Sequence, residues 1–335
     1  MAASRLIVGI LPGIQLEVTG DAAAIRHFHA EYGSDAGSPA ESRPVARRLS
    51  VSFVDRLGAD LPTDGHRSVR WQARFERIGP GDLRLEIALR GWPRWFGLSL
   101  VQGYLTEPAL SLLVAEGGSV LLPAAGIVHD GRVDLLIGRS RSGKSSLSMR
   151  ALAAGLSILG DDQVHIGRDG TCTRFPRRLR VYDDLAATAP GAIHKLPGSL
   201  RTQLALRSVV RRLTRGGIRP SLPVDIADIG GKVAAPAPLG RIVLLRPVGG
   251  AEMRLHGATA KEAVSDSTST LSEQRARLAR VLPDRWHTEL AATLEEEART
   301  LSAAFASVPV AAVEVPYSSN PGDAVSRLAK ALGLP

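Results

Sequence analysis

The feature that most restricts this chain is the stretch Gly138-Arg-Ser-Arg-Ser-Gly-Lys-Ser145, placed directly after the apolar run Arg132-Val-Asp-Leu-Leu-Ile137. Glycines at 138 and 143 permit backbone angles and close approaches that a side chain forbids. From Lys144 to about Ala154 the spacing is helical, with Leu147, Ala151 and Leu152 on one side, and Ala-Ala-Gly155 supplies a stop. Strand, glycine-bounded turn and helix in that order belong to α/β folds. Successive loop amides point inward and the helix directs its positive end at the same spot, so the arrangement suits an anion.

The residues at the end of the loop narrow the anion. In the pattern Gly-x4-Gly-Lys-Ser, Lys144 reaches the outer phosphates of a nucleoside triphosphate, expected here as Mg-ATP, and Ser145 places its hydroxyl on Mg2+. The nucleotide-binding candidates are therefore Gly138, Arg139, Ser140, Arg141, Ser142, Gly143, Lys144, Ser145 and Ser146. Lys144 is one of only five lysines in a chain that otherwise uses arginine. Asp161 and Asp162 follow a second apolar run, Leu156-Ser-Ile-Leu. A carboxylate beside Mg2+ and the terminal phosphate can hold the metal or accept the proton of an attacking hydroxyl, and adjacent strand residues face opposite ways, which divides the two tasks.

The 335 residues and 44% hydrophobic content allow one large or two modest domains. Residues 1–110 read as a β-rich N-terminal module, with strands at Gln15–Val18, Leu49–Val54, Val69–Phe75 and Leu83–Leu89 and loops at Gly33–Pro44 and Gly58–Gly65. The aromatic run Trp92–Phe96 reads as buried packing first and as a recognition patch second. Residues 111–335 form the nucleotide-binding domain. In it Asp130-Gly131 signals a hairpin turn, Pro220–Pro238 an irregular stretch, Arg241–Leu245 a buried strand, Ala258–Ala306 helices, Val308–Val315 a last strand and Ala324–Leu332 a last helix. The longest apolar stretch, Leu98–Leu122, is interrupted by Gln102, Glu107 and Glu116, and the N-terminus lacks the features of a signal peptide. The single cysteine, Cys172, has no internal partner and reads as a small strand residue. A cytoplasmic protein without a membrane partner is expected.

The formal charge of +9 is concentrated. Residues 174–219 carry ten arginines and Lys195 against Asp183 and Asp184, a surplus equal to that of the whole chain. A local site for an acidic partner is one reading and a solvated helical face the other. Only Phe175 and Tyr182 could stack on bases there, which argues against a nucleic-acid partner.

The stretch Gly131–Ile166 resembles the core of HPr kinase/phosphorylase and its relatives. The shared features are a strand, the Gly-x4-Gly-Lys-Ser loop, a helix ending at glycine, and a strand closing on Asp-Asp at short spacing. The resemblance extends from about Leu121 to Ile166, and Arg241–Leu245 fits a later family strand more loosely. It implies a P-loop kinase core like that of phosphoenolpyruvate carboxykinase, and ATP-dependent phosphoryl transfer to a hydroxyl, usually a serine. Relatives include kinases of ribosomal peptides such as lasso-peptide precursors. By the resemblance Asp161 is the catalytic base, with Lys144 beside it, and Asp162 joins Ser145 at the metal. Ser146 stands where the family carries Glu, Pro123 where it often carries His (His129 is offset), and the family's HPr-binding signature is missing from the C-terminal half. These departures argue against HPr as substrate and against the reverse phosphorylase reaction.

The expected activity is transfer of the gamma-phosphate of Mg-ATP to a peptide or protein serine, or to a small-molecule hydroxyl, with arginines of 174–219 holding an acidic acceptor. The alternatives are an ATP-binding accessory module with slow turnover and a nucleic-acid-associated ATPase. The sequence leaves the oligomeric state open, a homo-oligomer included.

Overall fold

The computed structural model describes residues 4–33, 45–140, 142–214, 221–249, 252–316 and 321–334. The chain is mixed α/β and divides into two compact units. The first comprises Met1–Val120 with Leu271–Arg299, the second Leu121–Thr270 with Thr300–Pro335.

The first unit is built on a six-stranded mixed sheet. Its elements are β1 (Ser4–Leu11), β2 (Ile14–Gly20), α1 (Ala22–Tyr32), β3 (Arg47–Val54), β4 (Thr63–His66), β5 (Val69–Gly79) and β6 (Asp82–Gly91), with strand order β1-β2-β3-β6-β5-β4. The alternating apolar residues face inward: Leu16, Val18, Leu49, Val51, Trp71, Phe75, Leu83, Leu85 and Ile87 are all buried. β4 occupies the end of the stretch expected as a loop, and residues 34–44 of the other expected loop lie outside the described residues. A continuous helical run follows as α2 (Arg94–Val101), a π turn (Gln102–Thr106) and α3 (Glu107–Glu116). By length and composition this run could cross a membrane, but 78% of its apolar window is buried within the protein, as in a core helix.

The reading of Trp92–Phe96 as buried packing is corrected by the structure. Trp92 is 79% exposed and Trp95 46% exposed. α2 turns Gly97, Leu98 and Val101 inward, and helical geometry then carries Trp95 to the far side.

The second unit contains a nine-stranded sheet. Its elements run β7 (Ser119–Leu122), β8 (Ala124–His129), β9 (Arg132–Gly138), α4 (Lys144–Ala153), β10 (Ser157–Gly160), β11 (Val164–Gly167), β12 (Thr171–Arg174), β13 (Leu179–Val181), α5 (Leu185–Thr188), α6 (Pro190–Lys195), α7 (Gly198–Leu213), β14 (Leu222–Val224), β15 (Ala237–Val248), β16 (Arg254–Ala258), α8 (Ala260–Ala279), α9 (Arg285–Phe305), β17 (Val310–Pro316) and α10 (Pro321–Ala331). The main path is β10-β8-β9-β15-β12-β11-β7, and β17 joins β15 and carries β16. The unit boundaries near residues 270 and 300 fall inside α8 and α9. The stretch after Pro220, expected to be irregular, pairs β14 with β13 and forms a short 3-10 turn, Ile226–Ile229, closed by reciprocal capping between Asp225 and Asp228.

Strand directions set the position of the site. β9 is parallel to β15, and β15 is parallel to β17. β8 is antiparallel to both β9 and β10, so β10 runs the same way as β9. The chain therefore leaves β9 at Gly138 and β10 at Gly160 on one edge of the sheet. In open α/β sheets that carboxyl-terminal edge is where ligands are held. The β8–β9 hairpin fixes the register of this arrangement, with Asp130 at φ 49° and Gly131 at φ 72°, both positive as a tight two-residue turn requires.

Candidate functional site

The loop after β9 is shaped by its glycines. A Cβ on Gly138 would lie 2.6 Å from the Leu245 carbonyl oxygen of β15 and 2.7 Å from Ser142 Oγ, so no larger residue fits. Gly143 adopts φ 100°, in the left-handed region, and begins α4 with no side chain capping the helix. The first amides of α4 are thus left for another acceptor. The Ser142 N–H donates to the Arg139 carbonyl at 3.2 Å and folds the loop on itself. Leu147, Ala151 and Leu152 hold the opposite face of α4 in the core of this unit, together with Leu136, Ile158 and Val243.

Lys144 is 9% exposed. Its ammonium donates to the Gly138 carbonyl oxygen and, at 3.2 Å, to that of Arg139. Burial pushes its pKa down from the ordinary lysine value, against the pull of Asp162 and Asp161. Ser142 is buried and its hydroxyl has no hydrogen-bond partner. Ser145 and Ser146 are half-buried, and Arg139 and Ser140 are exposed. Arg141 lies outside the described residues.

Asp161 and Asp162 follow β10 on the same edge, and the structure treats them differently. Asp162 accepts a 2.7 Å ion pair from Arg177 and keeps 48% of its side chain exposed. Asp161 is 4% exposed, and its Oδ2 is buried without a hydrogen-bond partner. Burial, then the neighbouring Asp162 charge, raises the pKa of Asp161 to about 6, against the opposing pull of Arg177 and a hydrogen bond from the Arg180 main-chain N–H. A carboxyl of that pKa is ionised at neutral pH and still basic enough to take a proton.

Among the described residues no group of three or more His, Cys, Asp or Glu side chains is placed to hold a metal. Mg2+ does not require one, because it keeps several waters and is held by one or two carboxylates together with substrate phosphates. The Ser145 hydroxyl and the Asp162 carboxylate, as hard oxygen donors, fit that pattern. Pro123 lies in the bend between β7 and β8, and His129 is exposed at the end of β8.

The basic segment is not one solvated face. Arg178 grips Asp225 with two bonds of 3.0 and 2.7 Å, Arg211 grips Asp183 with two of 2.7 Å, and Arg207 donates to the Ser221 carbonyl. Arg180 is 7% exposed. Burial, then the nearby Arg180, lowers the pKa of Arg207. Arg201 and Arg212 remain exposed, and Arg215 and Arg219 lie outside the described residues. Sequence reasoning missed two contributors to the carboxylate site, Arg177 through its ion pair and Arg180 through its N–H. Both are separated from the aspartates by β11 and β12, and no local pattern announces them. Cys172, as expected, is a buried strand residue of β12, and burial raises its thiol pKa to about 12, so it is not a ready nucleophile.

No protein-family model and no curated protein sequence matches this chain.

Proposed function

We propose that this protein is an ATP-dependent phosphotransferase with a core like that of phosphoenolpyruvate carboxykinase, acting on a hydroxyl, with a serine of a peptide or protein as the first choice of acceptor. The observation that carries this reading is Asp161. It is a buried carboxyl with one unpartnered oxygen and a pKa raised to about 6, on the same sheet edge as a glycine-bounded loop and its lysine. A buried carboxylate with an unsatisfied oxygen is costly to a fold, and such groups are kept where chemistry uses them.

In the proposed reaction the loop amides, the start of α4 and Lys144 hold the phosphates of ATP. Lys144 exchanges its contacts with the Gly138 and Arg139 carbonyls for phosphate oxygens. The acceptor hydroxyl gives its proton to Asp161 Oδ2. Its oxygen forms the new bond to the gamma-phosphorus as the bond from that phosphorus to the ADP oxygen breaks, and ADP carries away the electron pair. Mg2+ held by Ser145 and Asp162 would supply neutralising charge to the phosphates. The Arg177 ion pair orients Asp162, and its charge opposes the upward shift of the Asp161 pKa. The need for ATP sets this activity in the cytoplasm.

A second reading, an ATP-binding accessory module with slow turnover, draws on Ser146, which offers no carboxylate beside the metal position. Both readings require the loop to bind nucleotide, and titration with Mg-ATP tests that shared requirement. Lys144→Ala is expected to weaken Mg-ATP binding about tenfold or more without lowering the unfolding temperature, since the lysine adds no apolar core. Equal affinity in the two proteins would remove the loop from both readings.

A further inference from the structure

α7 carries apolar side chains on two faces. Leu204 is buried in the core of the second unit, and Leu200 packs against the same core. Leu206, Val209, Val210 and Leu213 instead lie in solvent, 62%, 48%, 38% and 79% exposed. Their spacing of i, i+3, i+4 and i+7 puts all four on one stripe of the helix surface. Solitary exposed leucines are ordinary, but a continuous stripe of four on one helix is the pattern of a face that receives a partner.

The charge around the stripe selects the partner. α7 contains no acidic residue. Arg212 borders the stripe on one side, Arg201 lies further round, and Arg207 and Arg211 are on the side turned to the core. A second copy of α7 would bring arginines against arginines, which opposes self-association through this face. The stripe holds leucine and valine but no Trp or Phe, and a lipid surface is therefore tested beside a peptide. An acidic segment with its own apolar stripe satisfies both the leucines and the arginines.

The position of α7 gives this face a use. Arg211, in the last turn, is clamped to Asp183 at 2.7 Å. Asp183 follows Arg180, whose main-chain N–H holds Asp161, by three residues, at most about 10 Å of chain. We propose that the exposed stripe of α7 docks an acidic, amphipathic peptide segment of the phosphate acceptor, and so delivers a hydroxyl to Asp161. This inference rests on the phosphotransferase reading for its purpose but not for the binding itself.

The test is direct binding to the full chain, which needs no turnover. The probes are a synthetic helix-forming peptide with leucines at i, i+3, i+4 and i+7 and glutamates between them, the same peptide with lysines for the glutamates, and phosphatidylglycerol–phosphatidylcholine vesicles. The acidic peptide is expected to bind saturably. Leu206→Ser with Leu213→Ser should weaken it about tenfold or more while Mg-ATP affinity stays unchanged, both side chains being solvent-exposed. Arg212→Gln should weaken it less and reduce its salt dependence. Absence of binding up to about millimolar peptide overturns the proposal. So does equal binding of the lysine peptide, or an acidic-peptide affinity unchanged by the double substitution. Vesicle binding or self-association abolished by that substitution, without acidic-peptide binding, would reassign the face to a membrane or a second copy. A peptide carrying serine that binds at α7 but is never labelled by Mg-ATP leaves the dock standing and removes the kinase reading.

Discussion

Two buried carboxylates, one in each unit, are treated in opposite ways. Glu297 in the first unit is 1% exposed and receives two 2.6 Å bonds from Arg275, which itself donates to Ser111 Oγ. Asp161 in the second unit is 4% exposed and keeps an oxygen without any partner. Burial raises the pKa of both, but Arg275 pulls Glu297 back directly, whereas Asp161 is pushed further by Asp162. At Glu297 both carboxylate oxygens are satisfied, which is what stability requires. At Asp161 one oxygen is left unsatisfied, at the sheet edge where the glycine-bounded loop also lies. The difference separates a carboxylate that maintains a fold from one available to chemistry.

The comparison can be broken most easily at Arg275. Arg275→Ala should destabilise the protein by about 3–5 kcal/mol in urea unfolding, because it strands Glu297 in the interior. Replacing both members with apolar residues of similar volume should recover most of that loss. A cost under about 1 kcal/mol for Arg275→Ala would mean that the pair does not carry the load assigned to it.

Asp161→Asn sharpens the contrast with a change of sign. The folded pKa of Asp161 lies above its unfolded value, so its contribution to stability is complete below about pH 4 and is lost as pH rises through about 6. Asn cannot ionise. The variant should be more stable than the parent by about 1–3 kcal/mol at pH 8, and the gain should vanish near pH 4. Glu297→Gln should instead destabilise at pH 8, where it leaves Arg275 buried without its charged partner. Thermal unfolding of the two variants at the two pH values decides the matter, and the contrast fails if both shift the same way.

The smallest effect is expected at Arg177. Its charge favours the ionised form of Asp161. In Arg177→Gln the acid limb of the pH–rate profile should therefore move upward, by less than about one pH unit. A limb that stays in place would exclude Arg177 from setting the proton affinity of the base.

Local chemistry made part of this legible in the sequence. Asp130-Gly131 announced a turn because both residues tolerate positive φ, and Gly143 and Gly155 bracketed α4 for the same reason. Most of the strands were visible from alternation, because one face of each is buried. What stayed hidden depends on residues distant in the chain. Nothing near Leu271–Arg299 says that it packs with the first 120 residues, since the Arg275–Ser111 contact spans 164 positions. The sequence divided the tasks of the adjacent aspartates by strand alternation and resemblance, but not the means: Arg177 takes Asp162 and burial takes Asp161. Trp92 and Trp95 misled because aromatic residues usually mark a core; Trp92 is exposed just before α2, and the orientation of α2 turns Trp95 out.

The central claim is that Asp161 accepts the acceptor's proton at a loop-bound ATP, and gamma-phosphate transfer from labelled Mg-ATP tests it most directly. The full chain, Asp161→Asn and Lys144→Ala would be assayed against serine-containing peptides and polyols, with nucleotide binding measured in parallel. The account predicts labelled product with the parent, a loss of about a hundredfold or more in Asp161→Asn with Mg-ATP binding retained, and weakened binding in Lys144→Ala. Labelling by Asp161→Asn at the parent's rate would contradict it, whatever the acceptor proves to be.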